Sequence, residues 1–307
     1  MSLSLQPLVS ADAKAVADLI GDYDSFHTDA PDRPSADDVL DWWQRVDGGR
    51  ISVRDEAGQV VGAASLRRRG DRYLVDAFVH PDARGRGAGT LLLDWAEEQA
   101  REAGVGATHA SASAHDADGK ALLEGRGYVY VRSFYRMAID LDEEPAEPDW
   151  PEGFTWALEP DRVEEVHAAL EEAFADHWGH EPRTLEEWTA QVGRLDDRIC
   201  YVVRTADGEI AGAQICDEER FGAGLVAILG VRPAWRRHGL GEALLRQAFH
   251  DLYRLGQRRV GLGVDAENTT GATRLYERVG MRVSAQEDAY EKLLQAGPGH
   301  GSKLCDS

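Results

Sequence analysis

The sequence has few cysteines, no long apolar run and a shortage of basic residues. Its three cysteines, Cys200, Cys216 and Cys305, are too few and too widely spaced for a disulfide framework or a zinc site, so we expect no metal. Cys200 and Cys216 lie in apolar runs and are expected to be small core residues. No apolar run approaches the roughly 20 residues of a membrane-spanning helix, and the N-terminus has no basic segment followed by an apolar core. We expect a soluble, cytoplasmic protein.

Acidic residues outnumber basic ones by 55 to 34, which gives a formal net charge of −21. Such a protein repels a polyanion unless a local basic patch prevails, so we expect no nucleic-acid partner. The charge is compatible with a cationic amine as substrate, although a surface that only keeps the protein in solution is the simpler explanation. Composition does not distinguish a monomer from a homodimer.

Residues 225–241 combine an apolar strand pattern, Pro233 and a glycine-rich basic turn, directly before a helical pattern. Backbone N–H groups at the start of a helix bind anions such as phosphate. The spacing Arg236-x-x-Gly239-x-Gly241 matches neither a Walker loop nor the dinucleotide fingerprint. A phosphorylated ligand is therefore expected here, and an ordinary strand–turn–helix corner is the alternative.

The same pattern occurs a second time in the chain. Every matching pair is separated by 152 positions, with Val79, Pro81, Arg84, Gly87 and Gly89 matching Val231, Pro233, Arg236, Gly239 and Gly241. A shared offset in a rare pattern indicates an internal duplication, and 307 residues are enough for two domains. We predict domains at residues 1–140 and 153–295, an acidic, proline-rich linker at 141–152 and a disordered tail at 296–307.

The duplicated motif resembles the pyrophosphate-binding signature of the GCN5-related N-acetyltransferase (GNAT) superfamily. Apolar periodicity gives each half the order β-α-α-β-β-β-α-β-α-β, which is also the order of this family. The resemblance covers most of the chain and implies an α/β fold with a mixed sheet in each of two tandem GNAT acyl-CoA N-acyltransferase domains. The tandem architecture is similar to that of the mycothiol synthases. Acetyl-CoA is the implied acyl donor.

The resemblance places the diphosphate of acetyl-CoA on the glycine-rich loops, where the absence of side chains lets the backbone approach phosphate oxygens. In the second half, the implied cofactor contacts are Leu229, Val231, Arg236, Arg237, His238, Gly239, Leu240, Gly241 and Asn268. In the first half, they are Val79, Arg84, Gly85, Arg86, Gly87, Ala88 and Gly89. Helix capping is an alternative role for Asn268.

The family supplies the proton for the departing thiolate from a tyrosine in the motif Asn-x-x-x-Ala-x-x-Leu-Tyr-x-x-x-Gly-Phe. The second half matches this motif, with Met in place of Phe, at Asn268, Ala272, Leu275, Tyr276, Gly280 and Met281. In the first half, Leu123 stands at the tyrosine position and His115 at the asparagine position. Leucine cannot donate a proton, so the resemblance implies a catalytic second domain with Tyr276 as acid and a silent first domain that still can hold CoA.

The general base is less clearly indicated. In tandem enzymes of this type the base is a Glu on the strand before the loop, and alignment on Val231 puts Leu225 at that position. The candidates are Glu218 and Glu219 at the start of that strand region, and Asp176, His177 and His180 in the aromatic loop after the first helix of the second half. Histidine has a suitable pKa for this role, although structural histidines in a surface loop explain the pattern equally well.

We therefore expect an acetyl-CoA-dependent N-acetyltransferase that transfers an acetyl group directly to the amine of a small molecule in the C-terminal domain. Two alternatives stay open, a non-catalytic acyl-CoA-binding regulator and a protein or peptide N-acetyltransferase. The Tyr276 motif favours an enzyme, but the sequence does not identify the acceptor amine.

Overall fold

The computed structural model describes residues 2–193, 198–268 and 270–294. The chain forms two compact units, one made of the residues up to Ser133 together with the chain from Gln286, and the other of Phe134–Ala285. Within the described ranges, no helix is both long and apolar enough to cross a membrane. The predicted tail at 296–307, which includes Cys305, lies outside the described residues.

The first sequence repeat contains six strands and four helices in the predicted order. They are β1 (Ser4–Pro7), α1 (Ala13–His27), α2 (Ala36–Trp43), β2 (Arg50–Arg54), β3 (Val60–Arg69), β4 (Arg72–Val79), α3 (Ala88–Glu102), β5 (Ala107–Ser113), α4 (Ala117–Gly125) and β6 (Val129–Asp140). Helix α2 begins with a capping box, in which the Ser35 hydroxyl accepts from the Asp38 N–H and the Asp38 carboxylate accepts from the Ser35 N–H.

The second repeat has the same order. Its elements are β7 (Phe154–Leu158), α5 (Val163–Phe174), α6 (Leu185–Val192), β8 (Ile199–Thr205), β9 (Ile210–Arg220), β10 (Ala223–Val231), α7 (Leu240–Arg254), β11 (Arg259–Asp265), α8 (Ala272–Arg278) and β12 (Arg282–Leu293). Thr184 and Glu187 form the corresponding capping box at α6. The predicted α/β fold with two tandem mixed sheets is confirmed.

The sheet of the first unit has the order β1-β2-β3-β4-β5-β12, and that of the second has the order β6-β11-β10-β9-β8-β7. Strands β4 and β5 run parallel, as do β10 and β11. The last strand of each repeat completes the sheet of the other unit, because residues 134–140 pair with β11 and residues 287–293 pair with β5. The compact units therefore divide the chain elsewhere than at the predicted boundaries of 140 and 153.

Each sheet is covered by helices on both faces. In the first unit, Leu93 and Ala96 of α3 pack against Leu66 and Val75, while α1 and α2 pack on the other face. In the second unit, α7 covers one face, and α5 and α6 cover the other.

The two described cysteines belong to the core of the second unit. Cys200 and Cys216 are each 0% exposed, as expected for small core residues. Burial raises the pKa of the Cys200 thiol to about 12, and it raises that of Cys216 as well. Neither thiol is poised to act as a nucleophile.

Candidate active site

A cleft opens in the second unit where strands β10 and β11 separate. Their parallel pairing comprises Gly224 with Val260 and Leu225 with Gly261, although β10 continues to Val231. The β9–β10 ladder carries a bulge between Val226 and Ile228, which bends β10 at this point. The backbone of β10 beyond Leu225 is thereby left without β11 as its partner, and a ligand can pair with it.

The glycine-rich loop follows β10 and leads into helix α7. Arg237 and Gly239 adopt left-handed conformations, with φ of +66° and +83°. The backbone N–H groups of residues 237–241 have no hydrogen-bond acceptor among the described residues, and Gly239 is the N-cap of α7. Consecutive unpaired N–H groups at the start of a helix form an anion site, as the motif predicts.

The first unit contains the same loop in the same conformation. Gly85 and Gly87 have φ of +69° and +89°, at the positions that match Arg237 and Gly239. The N–H groups of residues 85–89 also lack an acceptor within the described part of the chain. Strands β4 and β5 separate after the pair Val75 and Ala110, but the β3–β4 ladder has no register shift. Both loops can hold a diphosphate, and only the cleft of the second unit carries a bulge on its central strand.

The first arginine of each motif braces the loop through contacts with the protein. Arg236 donates to both carboxylate oxygens of Asp176 and to the carbonyl oxygens of Ala173 (2.8 Å) and Val231 (3.2 Å). Arg84 contacts the Nε2 atom of His27 at 3.0 Å and the Asp116 carboxylate. The structure therefore presents the main chain to a diphosphate, and the guanidinium groups are already occupied.

The second motif glycine allows two helices to approach each other. A Cβ at Gly241 would lie 3.0 Å from Cδ2 of Leu275 in α8, and a Cβ at Gly89 would lie 2.8 Å from Cδ2 of Leu122 in α4. The residues that follow these leucines are Tyr276 and Leu123. Equivalent packing thus supports the alignment of Tyr276 with Leu123.

Tyr276 is 8% exposed, and burial raises its pKa to about 12. No described residue forms a hydrogen bond with its hydroxyl. The phenol therefore keeps its proton at neutral pH and has that proton available for a ligand.

The other predicted cofactor residues lie on the strand before the loop, in the loop itself or at the start of a helix. Leu229 and Val231 lie on β10 beyond its last pair with β11. The His238 Nδ1 atom lies within hydrogen-bond distance of the Arg236 carbonyl oxygen (3.0 Å). Asn268 accepts from the N–H and hydroxyl of Thr270, so its side chain stabilises the turn before α8, whose N-cap is Gly271. In the first unit, Val79 ends β4, Arg86 is exposed and Ala88 is buried at the start of α3.

His177 follows α5 and lies close to the braced loop. Burial lowers the pKa of its imidazole, and the charges of Asp176, Arg236 and Asp265 also act on it. Asp265 is the last residue of β11, so His177 lies near the open end of the cleft. A neutral imidazole at this place is able to accept a proton.

Glu218 and Glu219 are exposed at the end of β9. In the β9–β10 ladder, Val231 pairs with Gly212 and Leu225 pairs with Asp217. Both glutamates therefore lie at the opposite end of the hairpin from the glycine-rich loop, and the structure does not bring them to it.

Asp217 is a carboxylate that the motif analysis missed. It lies opposite Leu225, at the point where the cleft opens, and it pairs with Arg198 at 2.5 Å. Its Oδ2 atom lies 3.8 Å from the Arg220 guanidinium and accepts no hydrogen bond from a described residue. Alternation along β9 places Asp217 on the same face as Ile215, towards α5 and α6. That alternation is the signal that could have found it.

Within the described residues, no group of three or more His, Cys, Asp or Glu side chains is arranged to hold a metal ion.

Comparison with known proteins finds one match to the same family in each repeat. The acetyltransferase (GNAT) family matches residues 16–128 and 163–281. The mycothiol acetyltransferase of Nocardiopsis dassonvillei is 31% identical over 264 residues, which cover 76% of this chain and 79% of that protein. The corresponding protein of Thermobispora bispora is 32% identical over 247 residues, covering 76% of this chain and 80% of its own length.

Solved structures show the same tandem fold. A GCN5-related N-acetyltransferase from Sphaerobacter thermophilus has a TM-score of 0.80 and 34% identity, with 95% of each chain covered. A tandem GNAT protein from the clavulanic acid biosynthesis pathway has a TM-score of 0.74 at 21% identity, covering 97% of this chain and 100% of that one, and it shares the fold. The expected resemblance to the tandem, mycothiol synthase-like type is confirmed. With both repeats matched over most of the chain, the protein is an acetyltransferase that belongs to the GNAT family.

Proposed function

We propose that this protein is an acetyl-CoA-dependent N-acetyltransferase that acts on the amine of a small molecule, with its chemistry in the second unit. The observation that carries the proposal is the difference between two equivalent positions. Behind the same loop, the second unit has a buried phenol at Tyr276, and the first unit has Leu123. Only the former can donate a proton.

The donor fits the loop through its charge. The N–H groups of residues 237–241 lie at the start of α7, where they would donate to the diphosphate of CoA. The unpaired edge of β10 beyond Leu225 offers backbone groups to the amides of the pantetheine arm. Acetyl-CoA supplies an activated acetyl thioester.

Transfer is direct, from the thioester to the amine. An acyl-enzyme needs an accessible nucleophile, and the two described cysteines are fully buried with raised pKa values. His177 accepts the proton of the attacking amine, and Tyr276 donates one to the departing thiolate of CoA.

The acceptor is a small amine. The curated relatives are named mycothiol acetyltransferases, which supports a small-molecule acceptor, and the net charge of −21 favours a cationic one. Leu225 stands where the related tandem enzymes have a Glu, so we do not extend the acceptor of those enzymes to this chain.

The test compares equivalent variants of the two loops. Gly239→Asp puts a negative side chain at a left-handed position of the second loop, and Gly87→Asp is its matched control in the first. We expect Gly239→Asp to abolish acetyl transfer in a panel of small amines and to remove one equivalent of acetyl-CoA binding by calorimetry. Gly87→Asp should keep most of the turnover.

Loss of turnover in Gly87→Asp alone would put the chemistry in the first unit. Tight acetyl-CoA binding by the wild type, without acetylation of any amine, would favour the regulator. Acetylation of peptides in preference to small amines would favour the protein N-acetyltransferase.

A further inference from the structure

A cluster of polar side chains lies on the sheet of the first unit, on the face opposite α3. Leu66, Val75 and Ala110 belong to the core on the α3 side. Because successive residues of a strand point to opposite faces, their neighbours point the other way. These neighbours are Ser65 and Arg67 of β3, Asp76 of β4 and His109 of β5, which we name the β-face cluster.

Strand register brings the cluster together at the point where β4 and β5 separate. Asp76 lies directly opposite Ser65, and Leu74 lies between Arg67 and His109. The last parallel pair of β4 and β5 joins Val75 to Ala110, so Asp76 is the first residue beyond it. The cluster therefore sits at the vertex of the cleft in the first unit.

Three polar atoms of the cluster are buried and have no partner in the described structure. They are Oγ of Ser65, Nε of Arg67 and Nε2 of His109. Ser65 is only 1% exposed. Buried polar groups in native proteins are nearly always hydrogen-bonded, so three on one face indicate that a further molecule completes their hydrogen bonds.

The cluster also holds an arginine and a carboxyl group that are not in contact. The Arg67 guanidinium acts on the Asp76 carboxylate by lowering its pKa, but burial has the larger effect and raises that pKa. The Trp42 indole N–H also lowers that pKa. The described residues contain no Arg67–Asp76 ion pair within 4.0 Å. The guanidinium and the carboxyl group therefore do not neutralise each other by direct contact.

The face is open to solvent next to the cluster. Ser111 follows His109 by two residues on β5, which is an inner strand of the sheet, and yet it is exposed. The Trp42 and Phe78 rings pack edge to face on the other side, with centroids 6.3 Å apart. The entrance for a small molecule would lie beside Ser111.

We propose that the first unit binds a small zwitterion of the α-amino-acid type at the β-face cluster, with its ammonium group on Asp76 and its carboxylate on Arg67. A neutral ligand would leave both charges without a counter-charge, and a singly charged ligand would leave one. Arg67 is the diagonal neighbour of Asp76 across β3 and β4. Such neighbours lie about 7–8 Å apart, which leaves space between the two side chains for a molecule whose charged groups are held on one carbon atom. Ser65 and His109 complete the hydrogen bonds.

The site is particular to the first unit. At the offset of the duplication, Ile228 replaces Asp76 and Glu219 replaces Arg67, so the second unit lacks this carboxyl–guanidinium pair. The inference is independent of the proposed function. It assigns a ligand to the first unit, which has Leu123 at the position of the acid.

The test uses the full chain without acetyl-CoA, so it does not depend on turnover. Each of the standard amino acids is titrated by calorimetry, with propylamine, propionate and glucose as cationic, anionic and neutral probes. We expect at least one amino acid to bind with a Kd below about 1 mM and the three probes to bind at least about tenfold more weakly. Asp76→Asn and Arg67→Gln should each weaken the binding by at least about tenfold.

Arg68→Gln is the matched control, because Arg68 is the exposed neighbour of Arg67 and should leave the binding unchanged. If Asp76→Asn does not fold by circular dichroism, Arg67→Gln and Arg67→Lys decide. The proposal is overturned if no amino acid binds, if glucose binds in their place, or if the folded variants bind like the wild type.

Discussion

Arg236 holds Asp176 through both of its carboxylate oxygens, and this pair fixes the glycine-rich loop to the end of α5. Removing a negative charge beside a diphosphate site would by itself strengthen binding. Loss of the ion pair with Arg236 lets the loop move, and this movement weakens the binding. We expect the second effect to prevail in Asp176→Asn, with the Kd for acetyl-CoA raised by about three- to tenfold in calorimetry. Tighter binding would show that Arg236, once released, contacts the diphosphate.

The two loops allow a matched test of backbone strain. Arg237 has φ of +66° and Gly85 has φ of +69°, and a Cβ at Gly85 would meet nothing within 4 Å. A non-glycine residue in this region is strained by roughly 1–2 kcal/mol, while glycine adds roughly 0.5–1 kcal/mol of unfolded-state entropy. We therefore expect Arg237→Gly to stabilise the protein slightly and Gly85→Ala to destabilise it by about 1 kcal/mol in urea unfolding.

The critical result is that the two substitutions change the free energy of unfolding in opposite directions. If Arg237→Gly were clearly destabilising and Gly85→Ala neutral, the left-handed conformation would not be what these positions require.

The fold could be predicted from the sequence because its signals are local. Apolar periodicity gave the order of helices and strands, and the repeated loop revealed the duplication. The exchange of β6 and β12 could not be predicted, because both read as ordinary strands and their partners are set by tertiary contacts. Nothing near residue 134 indicates that β11 is its neighbour.

The candidate site could also be predicted only in part from the sequence. The loop and Tyr276 are encoded in short motifs and could be located. The contact of Arg236 with Asp176 and the close approach of Gly241 to Leu275 could not be predicted, because both depend on how the helices pack. The β-face cluster arises from strand register, which brings Ser65 and Asp76 together without any motif.

The base can be identified by its pH dependence. Burial lowers the pKa of His177 below its usual value of 6.5, and a base must be neutral to accept a proton. Activity should therefore rise with pH through a midpoint below 6.5, and the limb set by the acceptor amine should appear at higher pH. In His177→Gln the lower limb should disappear, and kcat/KM should fall by about 10²-fold or more.

Glu218→Gln and Glu219→Gln are the controls, since both side chains are exposed at the far end of the hairpin. We expect each of these variants to keep the rise of activity with pH on the acidic side of the profile. A profile that changes in either of these variants, and not in His177→Gln, would assign the base to a glutamate.

Tyr276 and Tyr128 provide the final comparison, because burial raises the pKa of each to about 12. The Tyr128 hydroxyl accepts a hydrogen bond from Thr108 (2.9 Å), whereas the Tyr276 hydroxyl has no partner among the described residues. Tyr128→Phe should therefore lower the free energy of unfolding by about 1 kcal/mol and leave kcat unchanged. Tyr276→Phe should keep the stability and lower kcat by at least about tenfold, since a positioned acid contributes about 10²- to 10⁴-fold and water can partly replace it.

Acetyl-CoA affinity should change by less than about 1 kcal/mol in Tyr276→Phe, because the hydroxyl acts on the departing thiolate and the ring packing is kept. The rates are measured under single-turnover conditions, so that product release does not conceal the chemical step. Wild-type turnover in Tyr276→Phe under these conditions would mean that the thiolate takes its proton from another group.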